Sequence, residues 1–338
     1  MANERAKSGG FKLAEQLPVK GRPTAGHCDG APFSTAPPSR FRRGLPIFIG
    51  AFLFLAVGGV FLPVLRNGFV EWDDHISVYQ NPYVQGLDAK RLAWMFTNVE
   101  YMARYKPFTW LSYALIHAAG GLNPFGYHLA GLLFHCVNTV LLFVVLRGLL
   151  AAGVEANETN APKPERCLSA GLGALLWAVN PLRVEAVARV TDLQFCQSLC
   201  FTLVSLWCYL RAVHAAKVTV RRNVFFWCSV AAFALAMLTY PFVFGYAAVL
   251  VVVDVYPLRR FRPDAGGWCS AAARRIWLEK LPFALLGSPV LLALHWRLHP
   301  TGWLAGRGPA CWFSGQRSPL RSSWVWPAFG KRASGGTT

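Results

Sequence analysis

Long apolar runs, separated by short polar segments, dominate the hydrophobic pattern of this chain. A helix needs roughly 20 apolar residues to cross the hydrocarbon core of a bilayer. The runs that approach this length are 45–65, 125–150, 168–182, 193–213, 223–239, 241–257 and 281–298. The pattern therefore predicts an all-α polytopic membrane protein with about seven transmembrane helices. Because 223–257 is too long for one span, Thr239-Tyr240-Pro241 is expected to form a tight turn; one broken or re-entrant element is the alternative.

The segment between the first two runs, residues 66–124, is amphipathic. Residues 87–97 mix apolar side chains with Lys90 and Arg91, and residues 106–121 are apolar but too short to span. Such segments favour helices that lie in the membrane interface, with Trp94 and Trp110 at the level of the lipid headgroups.

Both ends of the chain lack this pattern. Residues 1–44 are rich in Gly, Pro, Ser, Lys and Arg without periodicity, which predicts a disordered tail. Residues 299–338 contain no spanning run and no period, which predicts an irregular C-terminal tail, non-native or truncated. The expected organisation is a tail at 1–44, a transmembrane domain at 45–298 with its first outward loop at 66–124, and a tail at 299–338.

The basic residues predict the orientation of the helices. They cluster before the first span and in every second loop after it, so one side of the membrane receives all of them if the seven spans alternate. Loops rich in Lys and Arg are cytoplasmic. The N-terminus is therefore expected in the cytoplasm, and residues 66–124 and 183–192 outside it.

Composition supports the membrane class and narrows the partners. The 338 residues are 54% hydrophobic and only 15% charged, against about 25% charged in soluble domains. The net charge of +18 does not indicate nucleic acid, because the basic residues lie in loop clusters and not on one amphipathic face. The nine cysteines show no metal-binding spacing. Cys196, Cys200 and Cys208 are expected to pack as small hydrophobic residues between helices.

Candidate chemistry begins at two adjacent acids, Asp73 and Asp74, in the stretch FVEWDDHISVYQNPYV just after the first span. By themselves, adjacent acids near a membrane favour a turn or a helix cap. The next outward turn, NPLRVEAVARVTD at 180–192, adds further charged side chains on the same predicted side.

Five blocks of sequence then occur in order along residues 60–298. They are GFVEWDDHISVYQNPYVQGL, KPFTWLSYAL, GLNPFGYHLAGLLFHCVN, ALLWAVNPLRVEAVA and WLEKLPF. These blocks resemble the membrane part of the transmembrane-and-TPR-repeat proteins, a family of bacterial homologues and animal O-mannosyltransferases within the GT-C glycosyltransferase superfamily. The chain looks like a bacterial-type member that is truncated before the TPR array.

The resemblance implies a GT-C-like bundle in the plasma (inner) membrane. It implies transfer of a sugar from a polyprenyl-phosphate-linked donor to a hydroxyl of a protein or glycan acceptor outside the cytoplasm. Asp73 or Asp74 would take the proton of the hydroxyl, or would ligate a divalent metal ion with His75. Arg183 suits the donor phosphate; an arginine that snorkels to the interface is the alternative. The other candidates for substrate binding are Glu185, His75, Lys106 and Asn81.

The chain also departs from the family pattern. Where the family reads HPLTWLSH, this chain has Lys106 and Tyr113, and Thr239-Tyr240-Pro241 replaces an SKP sequence. A catalytically inactive membrane scaffold is therefore the alternative function. A transporter is the third candidate function. A transporter would be expected to have ionisable groups near mid-membrane, whereas the charges of this chain cluster at the ends of the spans.

Further polar residues within the spans allow two interpretations. His128, His135 and Asn138 lie on the second span, where they either line a polar channel or bond to neighbouring helices. Asp254, near the end of the sixth span, is expected to pair with the arginines that follow it.

Overall fold

The structure is a computed structural model that describes residues 39–99, 101, 105–153, 164–215, 219–261, 268 and 270–298. Within these residues the secondary structure is helical, without strands. The α-helices are α1 Ser39–Phe61, α2 Ala89–Thr97, α3 Pro107–Gly120, α4 Pro124–Ala152, α5 Pro164–Ala178, α6 Arg183–Ala188, α7 Leu193–His214, α8 Thr219–Thr239, α9 Tyr246–Val255, α10 Ala271–Leu278 and α11 Leu281–Leu298. Short 3₁₀ helices follow at Leu62–Arg66, Pro82–Val84, Val190–Asp192 and Pro241–Gly245, and a π-helix at His75–Tyr79.

Four helical segments of the described chain are long and apolar enough to cross a membrane. They are Gly44–Arg66, Pro124–Ala152, Val190–His214 and Val220–Thr239. The all-α polytopic membrane class is thus confirmed, and four of the seven predicted spans have the expected length. Helix α5 has 15 residues and α9 has ten, and the side chains of α11 beyond residue 289 lie outside the described residues. A count of seven stays a prediction.

The bundle is built around α4. This helix packs against α1, α5 and α7, and α7 packs along α8. Small and hydroxylated side chains allow the close approach that helix packing in lipid requires: Ser205 and Ser229 each donate a hydrogen bond to the other's backbone carbonyl, at 2.8 Å. All three cysteines of α7 named above are buried, as the packing interpretation predicts.

Polar residues of α4 bond to neighbouring segments. His135 contacts the carbonyl of Ala178 at 3.1 Å through Nε2, and Asn138 donates to the carbonyl of Cys196 at 2.8 Å. His128 contacts the carbonyl of Gly68 at 3.3 Å. These contacts favour the bonding interpretation over a polar channel.

The chain reverses direction between α8 and α9. Helix α8 ends at Thr239, Tyr240 is extended, and Pro241 opens a 3₁₀ turn, since proline has no amide hydrogen to continue the helix. The rings of Phe233 and Tyr246 then stack with centroids 4.9 Å apart. The expected turn at 239–241 is therefore present.

The first loop between spans contains the two predicted helices, α2 and α3. Asp88 caps α2 by accepting a hydrogen bond from the amide of Arg91 at 3.1 Å. Trp110 is 1% exposed, because it packs inside an aromatic cluster with Trp94 and Tyr101. The position of Trp94 and Trp110 at the level of the lipid headgroups stays a prediction.

The two terminal tails are mostly outside the described residues. Helix α1 begins at Ser39, six residues before the predicted start of the apolar run, so the end of the predicted 1–44 tail is helical. The rest of that tail, and the predicted tail at 299–338, lie outside the described residues.

Candidate functional site

One end of the bundle, the Asp73 end, contains a cavity of about 460 Å³. Three separate segments of the chain form it: the segment after α1, the α6 turn with the start of α7, and the residue after α8. The lining residues are Trp72, Asp73, Leu182, Glu185, Ala186, Arg189, Asp192, Gln194, Phe195 and Tyr240. The two stretches that were predicted to share a side of the membrane therefore meet.

Helix α6 places its residues on the cavity by its periodicity. Asn180 accepts a hydrogen bond from the amide of Leu182 at 3.0 Å and so supports the turn before the helix. Residues three, four and seven positions apart lie on one helix face. Leu182, Glu185 and Arg189 follow this spacing and all line the cavity.

Arg189 is the charged centre of the cavity wall. Its guanidinium bonds to the Glu185 carboxylate at 2.8 Å and lies 3.7 Å from carboxylate oxygens of both Asp73 and Asp192. Partial burial acts to lower the pKa of Arg189, but the three carboxylates outweigh it and raise the pKa above its ordinary value. The side chain therefore stays charged and holds the acidic groups together.

The two adjacent acids have different surroundings. Asp73 lines the cavity, and its side chain is 27% exposed. Asp74 is buried, and its Oδ2 accepts a hydrogen bond from the amide of Val70 at 2.8 Å. Asp73 can therefore meet a substrate in the cavity, whereas Asp74 holds the backbone of its own turn.

Lys106 lies directly behind the cavity wall. It is fully buried, and its Nζ donates to Oε1 of Gln194 at 3.0 Å. The ammonium also lies 4.3 Å from the centre of the Trp110 ring. Because Gln194 lines the cavity, Lys106 reaches the site through that side chain.

Two other predicted residues are not among the cavity lining. Asn81 is buried and caps the short helix Pro82–Val84 by accepting a hydrogen bond from the amide of Tyr83 at 3.0 Å. His75 lies beside Tyr79, with ring centroids 6.3 Å apart. The structure thus gives both residues contacts within the loop.

Arg183 is not among the residues that line the cavity. Its guanidinium stacks over the Trp177 ring, 5.2 Å from the ring centre, and its Nε is buried without a hydrogen-bond partner in the described part of the chain. The Nε atom therefore lacks a partner among the described residues, and the stacking suits an arginine at the membrane interface.

A divalent metal ion finds few ligands in this arrangement. The described residues contain no group of three or more His, Cys, Asp or Glu side chains that could hold one. Asp74 is directed to the Val70 amide, and the cation nearest Asp73 is Arg189. The residues seen here do not fit a metal held by both acids.

The sequence reasoning missed some residues of the cavity. The segment 180–192 had indicated a charged turn, but no pattern singled out Arg189 as its centre. Tyr240 and Gln194 carry no charge, and Tyr240 comes from a distant turn between two spans. Only the packing of the helices brings these side chains to Asp73.

A second polar cluster lies at the opposite end of the bundle, the Arg260 end. Asp254 is fully buried and bonds to Lys280 at 2.5 Å and to Arg260 at 3.3 Å, which confirms the predicted pairing with an arginine. Glu279 binds Arg260 at 2.7 Å and Arg222 at 2.5 Å. The network joins the first turn of α8 to the segment after α9, so these predicted basic regions share an end.

Comparison with known proteins adds a partial similarity. No protein-family model matches the chain, and no solved structure matches it. Protein O-mannosyl-transferase Tmtc1 of Drosophila melanogaster is 34% identical over 159 residues, which is 44% of this chain and 16% of the relative. Protein O-mannosyl-transferase Tmtc3 of the same organism is 30% identical over 168 residues, 47% of this chain and 18% of the relative.

A mouse protein shows the same relation over a shorter range. Protein O-mannosyl-transferase TMTC2 of Mus musculus is 33% identical over 107 residues, 32% of this chain and 11% of the relative. The chain spans less than a fifth of the length of each of these three relatives. Over part of its length, the chain is therefore homologous to proteins named as O-mannosyl-transferases.

Proposed function

We propose that this protein is a membrane glycosyltransferase that moves a sugar from a polyprenyl-phosphate-linked donor to an acceptor hydroxyl at the Asp73 end. The observation that carries the proposal is the position of Asp73, an accessible carboxylate in a cavity that also contains Arg189. The partial similarity to O-mannosyl-transferases supports the reaction class. We further propose that the protein lies in the plasma membrane and that its Asp73 end is on the side away from the cytoplasm.

Asp73 would act as the general base. The acceptor oxygen attacks the anomeric carbon, the bond from that carbon to the phosphate oxygen breaks, and the electron pair of that bond leaves with the lipid phosphate. The hydroxyl proton passes to the carboxylate of Asp73. Such a positioned base contributes about 10²–10⁴-fold to a rate.

The charge of the cavity favours the acceptor over the phosphate. Three lining carboxylates, those of Asp73, Glu185 and Asp192, face a single lining cation, Arg189. Excess negative charge repels a phosphate but accepts hydrogen bonds from hydroxyls. The exposed ring of Trp72 offers a flat apolar face to a sugar or peptide. The acceptor is therefore proposed to occupy the cavity.

The donor phosphate is proposed to lie near Arg183, which is on α6 but outside the cavity lining. Its guanidinium is held by the Trp177 ring, and the described residues provide it with no carboxylate partner. A planar guanidinium binds phosphate oxygens with two parallel hydrogen bonds. The two acids do not converge on one point, since Asp74 bonds to the Val70 amide and Asp73 faces Arg189, so they do not fit a metal ion held between them.

The test is sugar transfer from polyprenyl-phosphate mannose in detergent by the full chain. Asp73→Asn should reduce kcat by about 10²–10⁴-fold, while Glu71→Gln, an exposed acid two residues away that does not line the cavity, should leave it unchanged. Arg183→Gln should raise KM for the donor more than it lowers kcat. Equal unfolding temperatures of the variants would show that all of them are folded.

Full activity of Asp73→Asn would refute the proposed base. The alternative, an inactive scaffold, is motivated by the departures from the family pattern, among them the fully buried Lys106. Absence of transfer by the wild-type protein from mannose, glucose and galactose donors would favour the scaffold.

A further inference from the structure

Exposed side chains of α10 and the start of α11 form three groups, here called bands, in the order Arg274, Trp277 and Leu278 along the chain, with Trp268 held against Trp277. The first band is basic and consists of Arg274 and Arg275; the second is aromatic and consists of Trp268 and Trp277; the third is aliphatic and consists of Leu278, Leu281 and Leu285. All seven side chains are exposed. We call these seven residues the α10 surface.

The opposite face of α10 determines this orientation. Ala273 and Ile276 are buried against the bundle. Directly after the helix, Glu279 and Lys280 enter the ion network of the Arg260 end, where Glu279 binds Arg260 at 2.7 Å and Lys280 binds Asp254 at 2.5 Å. The helix is therefore anchored on its inner face and at its C-terminus, and it cannot turn the exposed bands inward.

The aromatic band is itself a packed unit. The rings of Phe261 and Trp268 stack with centroids 4.7 Å apart, and Trp277 lies 5.6 Å from Phe261. The Trp277 indole donates a hydrogen bond to the carbonyl of Trp268 at 3.3 Å. Both tryptophans nevertheless stay exposed, at 52% and 41%. Large rings that are ordered but exposed are typical of the membrane–water interface.

The basic band has no acidic partner in the described part of the chain. The nearest acid along the helix, Glu279, is already bound to Arg222 and Arg260. Neither Arg274 nor Arg275 forms an ion pair with a described residue. Their two positive charges therefore face outward.

We propose that the α10 surface binds the headgroups of anionic phospholipids in the bilayer that the protein spans. The order basic, aromatic, aliphatic matches the order of lipid phosphate, interface and hydrocarbon along the membrane normal. The aliphatic band continues directly into α11, an apolar helix of 18 residues. Basic residues at an anionic surface contribute about 1 kcal/mol each, and these two arginines face that layer together.

The experiment uses the full chain in mixed micelles of a nonionic detergent with phosphatidylglycerol or phosphatidylcholine. The midpoint of thermal unfolding is followed as the mole fraction of each lipid rises. Phosphatidylglycerol should stabilise the wild-type protein more than phosphatidylcholine. The double variant Arg274→Gln/Arg275→Gln should need about 30-fold more phosphatidylglycerol for the same stabilisation, from about 1 kcal/mol for each arginine.

Two control variants separate lipid binding from a change of structure. Arg274→Lys/Arg275→Lys keeps both charges and should retain the response to phosphatidylglycerol. Lys90→Gln removes an exposed charge on α2 in the loop between the first two spans and should also retain it. An unchanged response of the glutamine variant, or equal stabilisation by both lipids, would overturn the proposal.

Two further measurements identify the source of the bound phosphate and its place. If sn-glycerol 3-phosphate or inorganic phosphate alone stabilises the protein as much as phosphatidylglycerol, the site binds free phosphate and the lipid proposal is wrong. Phosphatidylglycerol brominated on its acyl chains should quench tryptophan fluorescence more strongly in the wild-type protein than in Trp277→Phe. Equal quenching in the two proteins would place the lipid elsewhere.

Discussion

Replacement of Tyr209 by phenylalanine should destabilise the bundle by about 2–3 kcal/mol. The hydroxyl of this buried side chain donates a hydrogen bond to Asp254 at 2.7 Å, and it accepts hydrogen bonds from Arg260 at 2.8 Å and from Lys280 at 2.5 Å. Hydrogen bonds to charged groups contribute about 1.5–3 kcal/mol. Asp254 keeps both of its cationic partners in the variant, so the loss stays below the ~3–5 kcal/mol expected for an unpaired buried charge.

A matched control distinguishes loss of the network from loss of any tyrosine hydroxyl. Tyr127 is also buried, but its hydroxyl makes one long contact, 3.4 Å to the carbonyl of Gly121. Tyr127→Phe should therefore cost less than about 1 kcal/mol. Both substitutions leave the ring in place, so neither creates a large cavity.

The assay is reversible unfolding in micelles with a rising mole fraction of sodium dodecyl sulfate, followed by circular dichroism. The free energy of unfolding is compared among the wild-type protein, Tyr209→Phe and Tyr127→Phe. If Tyr209→Phe is no more costly than Tyr127→Phe, the hydroxyl is not the centre of the network, and the reasoning about the Arg260 end fails.

Four more predictions follow from the two ends of the bundle. Burial by itself raises the pKa of Glu279, but the hydrogen bond from Arg260 and the nearby cations outweigh it and leave the pKa below its ordinary value. Glu279 therefore stabilises the fold above about pH 4.5, and this contribution is lost as the pH falls through the lowered pKa. In Glu279→Gln the free energy of unfolding should therefore fall less steeply on acidification than in the wild-type protein. The same dependence on pH in both proteins would contradict this. Arg189→Lys keeps the charge but loses the planar fork, so sugar transfer should fall about 10- to 100-fold, and equal turnover would show that the fork is not needed. Removal of divalent ions with EDTA should leave transfer unchanged, because an arginine is the cation nearest the cavity carboxylate; activity restored only by added Mg²⁺ or Mn²⁺ would reverse that view. A membrane-impermeant thiol reagent added outside intact cells should label a cysteine placed at the exposed Ala89 and spare one at the exposed Ala271, whereas the opposite pattern would invert the proposed orientation.

The sequence predicted those features that depend on local properties of the chain. The apolar runs located four helices of spanning length, and Pro241 located the reversal after α8. Alternation of the spans also placed 66–124 and 183–192 at one end, as the shared cavity of Asp73 and Arg189 confirms, because each crossing changes the side of the next loop. Span bounds were harder to judge. Helix α5 has the 15 residues of the predicted run 168–182 but begins four residues earlier, and the first residues of the run 241–257 form the 3₁₀ helix Pro241–Gly245, so α9 has only ten residues.

Only the tertiary structure distinguished between adjacent side chains. Asp73 and Asp74 are neighbours with the same chemistry, yet one lines the cavity and the other bonds to the Val70 amide. Successive residues of a helical turn point about 100° apart, so one of them faces the site while the other faces the protein. The burial of Trp110 was likewise not predictable from the sequence, since it depends on packing against Trp94 and Tyr101.

The sequence by itself determined the helical membrane class, the positions of the longest spans, and which loops meet at which end. These properties follow from transfer of apolar segments into lipid, a free energy that accumulates along contiguous residues. The tertiary structure decided that Arg189 joins Asp73 to Asp192, and that Tyr209 and Asp254 meet Lys280. Such contacts join residues far apart in the chain, so their energies depend on how the helices pack and not on any local pattern.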